Sequence, residues 1–371
     1  MSLLVPRRNG SLGLLPVLFA GLSFACVAAP VQPLPKLNVD VKQTSISGIS
    51  SGGFMSVQFQ VAHSSIVKGA GIVAGGPFYC SQDNVVKATT TCSCTGEPSL
   101  PCQVSATSAQ VPALISATRD MFGGKLIDDP ANVAGQRVLT ISGSKDPLVP
   151  PHIATQLSAF YAALGLPSQN LSAVALADAG HTMPTPAFGI ACKLTEEPYI
   201  GKCGFDSAKQ ILSWIYGPLV PRPGNKAKGK FIEFDQRPFI PKDSPLSFLW
   251  RSGLDSTGWV YVPNSCAKGA ACRVHVALHG CKQGQSYLPL KPPAGGLYYG
   301  TTFVTNTGYD RWADNNGLVV LFPQATSIPG VNPNGCWDWW GYTGSDYANQ
   351  KGVQIRALRA MVDQLAAGAK K

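Results

Sequence analysis

The feature that most narrows the fold is a five-residue run, Gly48-Ile49-Ser50-Ser51-Gly52, set between two hydrophobic patterns of different period. Residues 39–47 before it read as a strand, and residues 54–62 (FMSVQFQVA) after it read as the start of a helix. A serine between glycines at a strand-to-helix turn is the pattern of a nucleophile elbow. The turn is strained, and side chains on its neighbours would clash, so glycine is needed on both sides. By itself G-x-S-x-G is a weak signal in a chain with 39 glycines, where it also reads as an ordinary glycine-rich turn. The strand on one side and the helix on the other give it weight.

Downstream the same alternation continues. Residues 70–74, 137–142, 171–177, 259–262, 273–278 and 318–322 read as strands, and 111–121, 152–164, 206–216, 309–316 and 349–366 as helices. Alternation of this kind predicts an α/β fold, a mostly parallel sheet flanked by helices. Residues 217–230 look like a boundary, yet neither side is obviously complete. Within them the basic cluster PRPGNKAKGK reads as a solvated loop. No repeat of 20–50 residues is visible.

An activated serine needs a base and an acid to orient it, here expected in the order acid then histidine, each on a loop after a later strand. Asp146 follows the strand at 137–142, and His181 follows the strand at 171–177. Both loops leave the C-terminal ends of strands, where open parallel sheets build their sites. His63 near a helix end, His152 after two prolines and His275 inside a strand fit less well, and Asp178, three residues before His181, reads as a turn former. One oxyanion donor is expected at the backbone N–H of Ser51, directly after the nucleophile. The second normally comes from a His-Gly loop after an earlier strand. The one suitable loop, His279-Gly280-Cys281, follows the strand at 273–278, far after the serine. Circular permutation resolves the reversed order. The C-terminal half then supplies the early strands, the helix at 349–366 leads towards the nucleophile strand, and the two halves complete one sheet.

Eleven cysteines set the compartment. No CxxC pair occurs, and Cys92 and Cys94 are separated by one residue, so a metal site is disfavoured against disulfides. The N-terminus agrees with export: Arg7 and Arg8, an apolar stretch at 12–25, then small residues through Ala29. Residues 1–28 therefore read as a signal peptide and 29–371 as a single catalytic domain without an integral membrane span. Removing the signal takes Cys26 and leaves ten cysteines, an even number. Proximity pairs Cys192 with Cys203 and Cys266 with Cys272, while Cys80, Cys92, Cys94 and Cys102 should form two bridges in one of three connectivities. A hydrophobic fraction of 45% against 13% charged residues excludes a disordered chain. The net charge of +10 is dispersed and does not point to nucleic acid.

Five segments carry a resemblance: GISSGGFMSVQFQVAHS, SGSKDPLVP, ADAGHTMPTP, VALHGCKQ and NPNGCWDWWGY. Together, and in this order, they resemble the secreted poly(3-hydroxybutyrate) depolymerases of the circularly permuted, single-domain type. The resemblance implies a triad of Ser50, His181 and Asp146, oxyanion donors at Ser51 and Cys281, and a Cys281–Cys336 bridge. It also implies that Trp337 lines the substrate site, whereas Trp339 and Trp340 read as packed core aromatics. The implied partner is a water-insoluble polyester, and no metal or organic cofactor is called for. A feruloyl or acetylxylan esterase and a non-catalytic hydrolase-like protein are the competing readings.

Overall fold

The computed structural model describes residues 31–224, 226–243 and 249–369; the expected signal peptide lies outside them. Its strands are β1 (Thr44–Ile49), β2 (Val67–Val73), β3 (Arg137–Gly143), β4 (Leu171–Leu176), β5 (Met183–Thr185), β6 (Ile190–Ala191), β7 (Ile200–Lys202), β8 (Lys230–Asp235), β9 (Thr257–Val262), β10 (Arg273–Leu278) and β11 (Leu318–Phe322). Eight of them form one sheet in the order β4-β3-β2-β1-β10-β11-β9-β8. Pairing is parallel from β4 to β11 and antiparallel at β11–β9 and β9–β8. The central strands β1, β2, β10 and β11 are buried along almost all of their length, as in a sheet with helices on both faces.

The N-terminal half of the chain thus supplies one side of the sheet and the C-terminal half the other, meeting where β1 pairs with β10. The order is that of a circularly permuted α/β-hydrolase, and the joint is visible. Leu37 N–H donates to Leu365 O at 2.8 Å, and Gly368 N–H donates to Leu37 O at 3.1 Å. The end of the helix Val353–Ala366 therefore lies against the segment that leads into β1. A boundary at 217–230 does not occur. That segment carries the chain from the helix Ser207–Tyr216 to β8, a strand the sequence pattern missed. Nor is its basic cluster simply solvated. Arg222 is buried, and its guanidinium reaches Asp310 at 2.7 Å and Asp314 at 3.3 Å, because two carboxylates there compensate the desolvated charge.

A polar network fastens the β1–β10 junction. Ser45 stands opposite His275 in the register. The imidazole bonds Ser45 Oγ through Nδ1 at 2.6 Å and Ser47 Oγ through Nε2 at 2.7 Å. Tyr216 reaches Ser45 Oγ at 2.8 Å and Tyr309 reaches Ser47 Oγ at 2.6 Å, from helices Ser207–Tyr216 and Tyr309–Ala313 on that face. A slip of one residue would leave these buried groups without partners, so the network specifies the register.

Burial holds three histidines neutral. The pKa of His275 is pushed down to about 3, and those of His63 and His279 to about 4. In the unfolded chain each titrates near about 6.5. Their contribution to stability is complete above that value and is lost as pH falls towards the folded values, at roughly 2 kcal/mol per histidine by about pH 5. Denaturant unfolding followed between pH 7.5 and 5 should therefore show a falling free energy of several kcal/mol. A flat profile over that interval would contradict neutral burial of these three side chains.

Candidate active site

Ser50 stands between β1 and the helix α1 (Ser51–Ala62), at the helix N-cap, with φ 56° and ψ −124°. A non-glycine residue held there stores about 1–3 kcal/mol of strain. Its N–H is pinned to Val73 O of β2 at 2.9 Å. The flanking glycines are required by close backbone approach. A Cβ on Gly48 would lie 2.4 Å from the carbonyl carbon of Gly52 and 2.9 Å from Leu278 O. A Cβ on Gly52 would lie 2.3 Å from His279 O and 2.6 Å from Leu278 O. The elbow is thus pressed against the end of β10.

Asp146 and His181 arrive on the loops after β3 and β4. Backbone bonds from Ser144 N–H to Leu176 O (2.9 Å) and from Lys145 N–H to Ala179 O (3.0 Å) hold the two loops together. Asp146 Oδ2 meets His181 Nδ1 at 2.8 Å, and its Oδ1 accepts from Leu148 N–H and Val149 N–H, both at 2.8 Å. Both side chains are buried. A carboxylate on Nδ1 fixes the tautomer with the proton there and leaves Nε2 free to accept one. Tyr199 stands edge-on to the imidazole, with centroids 6.1 Å apart. Asp178 is not in this group: it is exposed, adopts φ 58° and pairs with Lys145 at 2.7 Å, as a turn residue does.

The loop after β10 reaches the same place. A Cβ on Gly280 would lie 3.2 Å from Ser50 Cβ. His279 donates from Nδ1 to Gly280 O at 2.7 Å, and its Nε2 accepts from Ala325 N–H at 3.0 Å. In a trans peptide the Cys281 N–H then points opposite to the held Gly280 carbonyl. The N–H groups of Gly280 and Lys282 are already used, by Gln283 Oε1 at 2.6 Å and Asn334 O at 2.7 Å. Those of Ser51 and Cys281 have no acceptor among the described residues. For Ser51 this follows from its place at the start of a helix. Cys281 is bridged to Cys336.

Ser50, His181 and Cys281 line one cavity of about 550 Å³, with Phe54, Trp339 and Trp340 among its walls. No hydrogen bond joins Ser50 Oγ to the imidazole among the described residues; such bonds commonly tighten only with substrate in place. Trp337 departs from expectation. It is fully buried, packs on His279 with centroids 5.5 Å apart and does not line the cavity. The Cys281–Cys336 bridge and the bond from Trp337 N–H to Ser51 Oγ (3.3 Å) draw it into the core. The cavity wall falls instead to Trp339 and Trp340. Sequence reading also missed the segment at 89–97 as part of the wall, although its cysteines marked it as stapled. The bridges there are Cys80–Cys92 and Cys94–Cys102, and Cys192–Cys203 and Cys266–Cys272 form as proximity suggests. Among the described residues no group of three or more His, Cys, Asp or Glu side chains is placed to hold a metal ion.

No protein-family model matches the chain. Among characterised proteins, it is 36% identical over 364 residues to a polyhydroxybutyrate depolymerase of Talaromyces funiculosus, covering 94% of this chain and 96% of that one. It is 38% identical over 343 residues to a poly(3-hydroxybutyrate) depolymerase of Delftia acidovorans, and there it spans 62% of the relative's length. The crystal structure of the PHB depolymerase from Penicillium funiculosum superposes with a TM-score of 0.76 at 35% identity, covering 91% of this chain and 100% of that one. A serine-to-alanine form of a PHB depolymerase complexed with an R3HB trimer superposes equally, at a TM-score of 0.76.

The tight approach of the elbow to β10 makes a prediction. Gly52→Ala places a methyl group against two carbonyl oxygens, an overpacking cost of about 1–3 kcal/mol. A thermal melt should show a clearly lowered midpoint and assays a loss of catalytic turnover. Wild-type behaviour in both would mean that the backbone contact is looser than described.

Proposed function

The chain belongs to the poly(3-hydroxybutyrate) depolymerase family, and from that premise we propose that it is an exported serine esterase that cleaves short-chain polyhydroxyalkanoates through an acyl-enzyme. The observation that carries this reading is the buried Asp146–His181 pair, whose imidazole lines the same cavity as a serine held at a strained elbow. Ser50 Oγ attacks the ester carbonyl while His181 Nε2 takes its proton. Asp146 keeps the imidazole oriented and stabilises the imidazolium that forms. The tetrahedral oxyanion rests on the N–H groups of Ser51 and Cys281, each donor being worth about 10²–10³ in rate. His181 then returns the proton to the leaving alcohol, and water, activated by the same imidazole, releases the acyl group. Phe54, Trp339 and Trp340 offer the apolar wall that an aliphatic chain needs.

Export is supported by the five disulfides, which a reducing cytosol would not maintain.

Purified protein given amorphous poly(3-hydroxybutyrate), crystalline polymer, and feruloyl or acetyl xylan should clear the polyester and release hydroxybutyrate units. Action on the polysaccharide esters alone would overturn the assignment. Ser50→Ala should abolish turnover with folding intact, and Asp146→Asn should lower kcat by about 10⁴ because the tautomer is lost. Activity retained by Ser50→Ala would mean that another group is the nucleophile.

A further inference from the structure

Asp338 plays no part in that chemistry, yet it is buried and its carboxylate gathers five donors. Oδ1 accepts from the N–H groups of Trp340 (3.3 Å), Gly341 (2.8 Å) and Tyr342 (3.1 Å). Oδ2 accepts from Thr343 N–H at 2.8 Å and Thr343 Oγ1 at 2.6 Å. Four consecutive backbone N–H groups therefore point at one side chain. The backbone of Asp338 is tied as well: its N–H donates to Gln354 Oε1 at 2.8 Å, and its carbonyl accepts from Gln58 Nε2 of α1 at 2.9 Å. Burial raises the carboxyl's pKa, and these donors offset only part of that rise.

What this turn carries is the aromatic wall of the cavity. Trp339 stacks on Phe54 with centroids 4.1 Å apart and planes 18° from parallel. Trp340 meets Trp339 edge-on at 5.9 Å and leans on Tyr342 at 4.9 Å. A core salt bridge or a simple loop staple would not need to place two indoles at a cleft. Resting on the reading of this cavity as the polyester site, we infer that Asp338 is a positioning residue for substrate recognition, holding Trp339 and Trp340 as a preformed surface for the aliphatic chain flanking the scissile ester. A wall already in place avoids the ordering cost that binding would otherwise incur. Its loss should fall on the binding of extended substrates rather than on attack at the ester itself.

Asp338→Asn keeps the shape and exchanges one acceptor oxygen for an NH₂ group facing N–H donors, whichever way the amide turns. With a soluble 3-hydroxybutyrate oligomer as substrate, KM should rise roughly tenfold, several-fold more than any change in kcat or in the rate on p-nitrophenyl acetate. The near-UV circular dichroism of the indole pair should weaken in parallel. In a Trp339→Ala/Trp340→Ala background the same substitution should add no further rise in KM, since residues acting through one another are not additive. If Asp338→Asn fails to fold, Thr343→Val removes one donor and should raise KM in the same sense, more mildly. An unchanged oligomer KM, an equal loss on both substrates, or full additivity with the tryptophan substitutions would overturn the inference. Ser50→Ala, run alongside, separates the two readings: its retained activity would remove the site assignment itself.

Discussion

Everything at the site depends on how closely the turn around Ser50 approaches the end of β10. The carbonyls of Leu278 and His279 stand where side chains on Gly48 or Gly52 would have to be. That contact forces glycine at two positions, forces the serine into φ 56°, and lifts its side chain out of the sheet. It also brings the loop of Gly280 and Cys281 beside Ser50. One backbone contact thus builds the elbow and positions an N–H next to it, and the surrounding structure must be strong enough to hold the strain.

Much of that strength comes from the junction of the two chain halves. β1 and β10 are far apart in sequence and adjacent in space, and their register is fixed by His275 between Ser45 and Ser47. A second tie runs through Leu37 and Leu365, where the permuted order closes on itself. A third is the bond to Ser51 Oγ at 3.3 Å from the backbone N–H of Trp337, which the Cys281–Cys336 bridge holds in place. Because these links span the junction, Ser50 of one half and the Gly280–Cys281 loop of the other are held in a single unit. Rigidity is what such a site needs, since donors already aimed at the developing charge require no rearrangement during reaction.

The sequence made the elements of the central sheet legible because their signals are local. The run at 318–322 is wholly apolar and that at 273–278 is broken only by Arg273 and His275, and they match β11 and β10 residue for residue. Strand β8 was lost for the opposite reason: it lies at the sheet edge, half exposed, directly after a Pro/Gly/Lys stretch. The basic cluster misled in the same way, since nothing local shows that Asp310 and Asp314 come to meet Arg222. Trp337, Trp339 and Trp340 carry near-identical local signals, yet the first is core and the others face the cavity. Only the bridge at Cys336 and the turn gathered by Asp338 separate them.

By itself the sequence determined the elbow, the alternation of strands and helices, the chain order of Asp146 and His181 and the permutation, because each follows from residue type and position along the chain. Only the tertiary structure decided which cysteines of the stapled segment pair, which tryptophans reach the cavity, and that Asp146 and His181 meet at 2.8 Å. Those outcomes depend on backbone approach between segments distant in sequence, and a linear pattern holds no record of such distances.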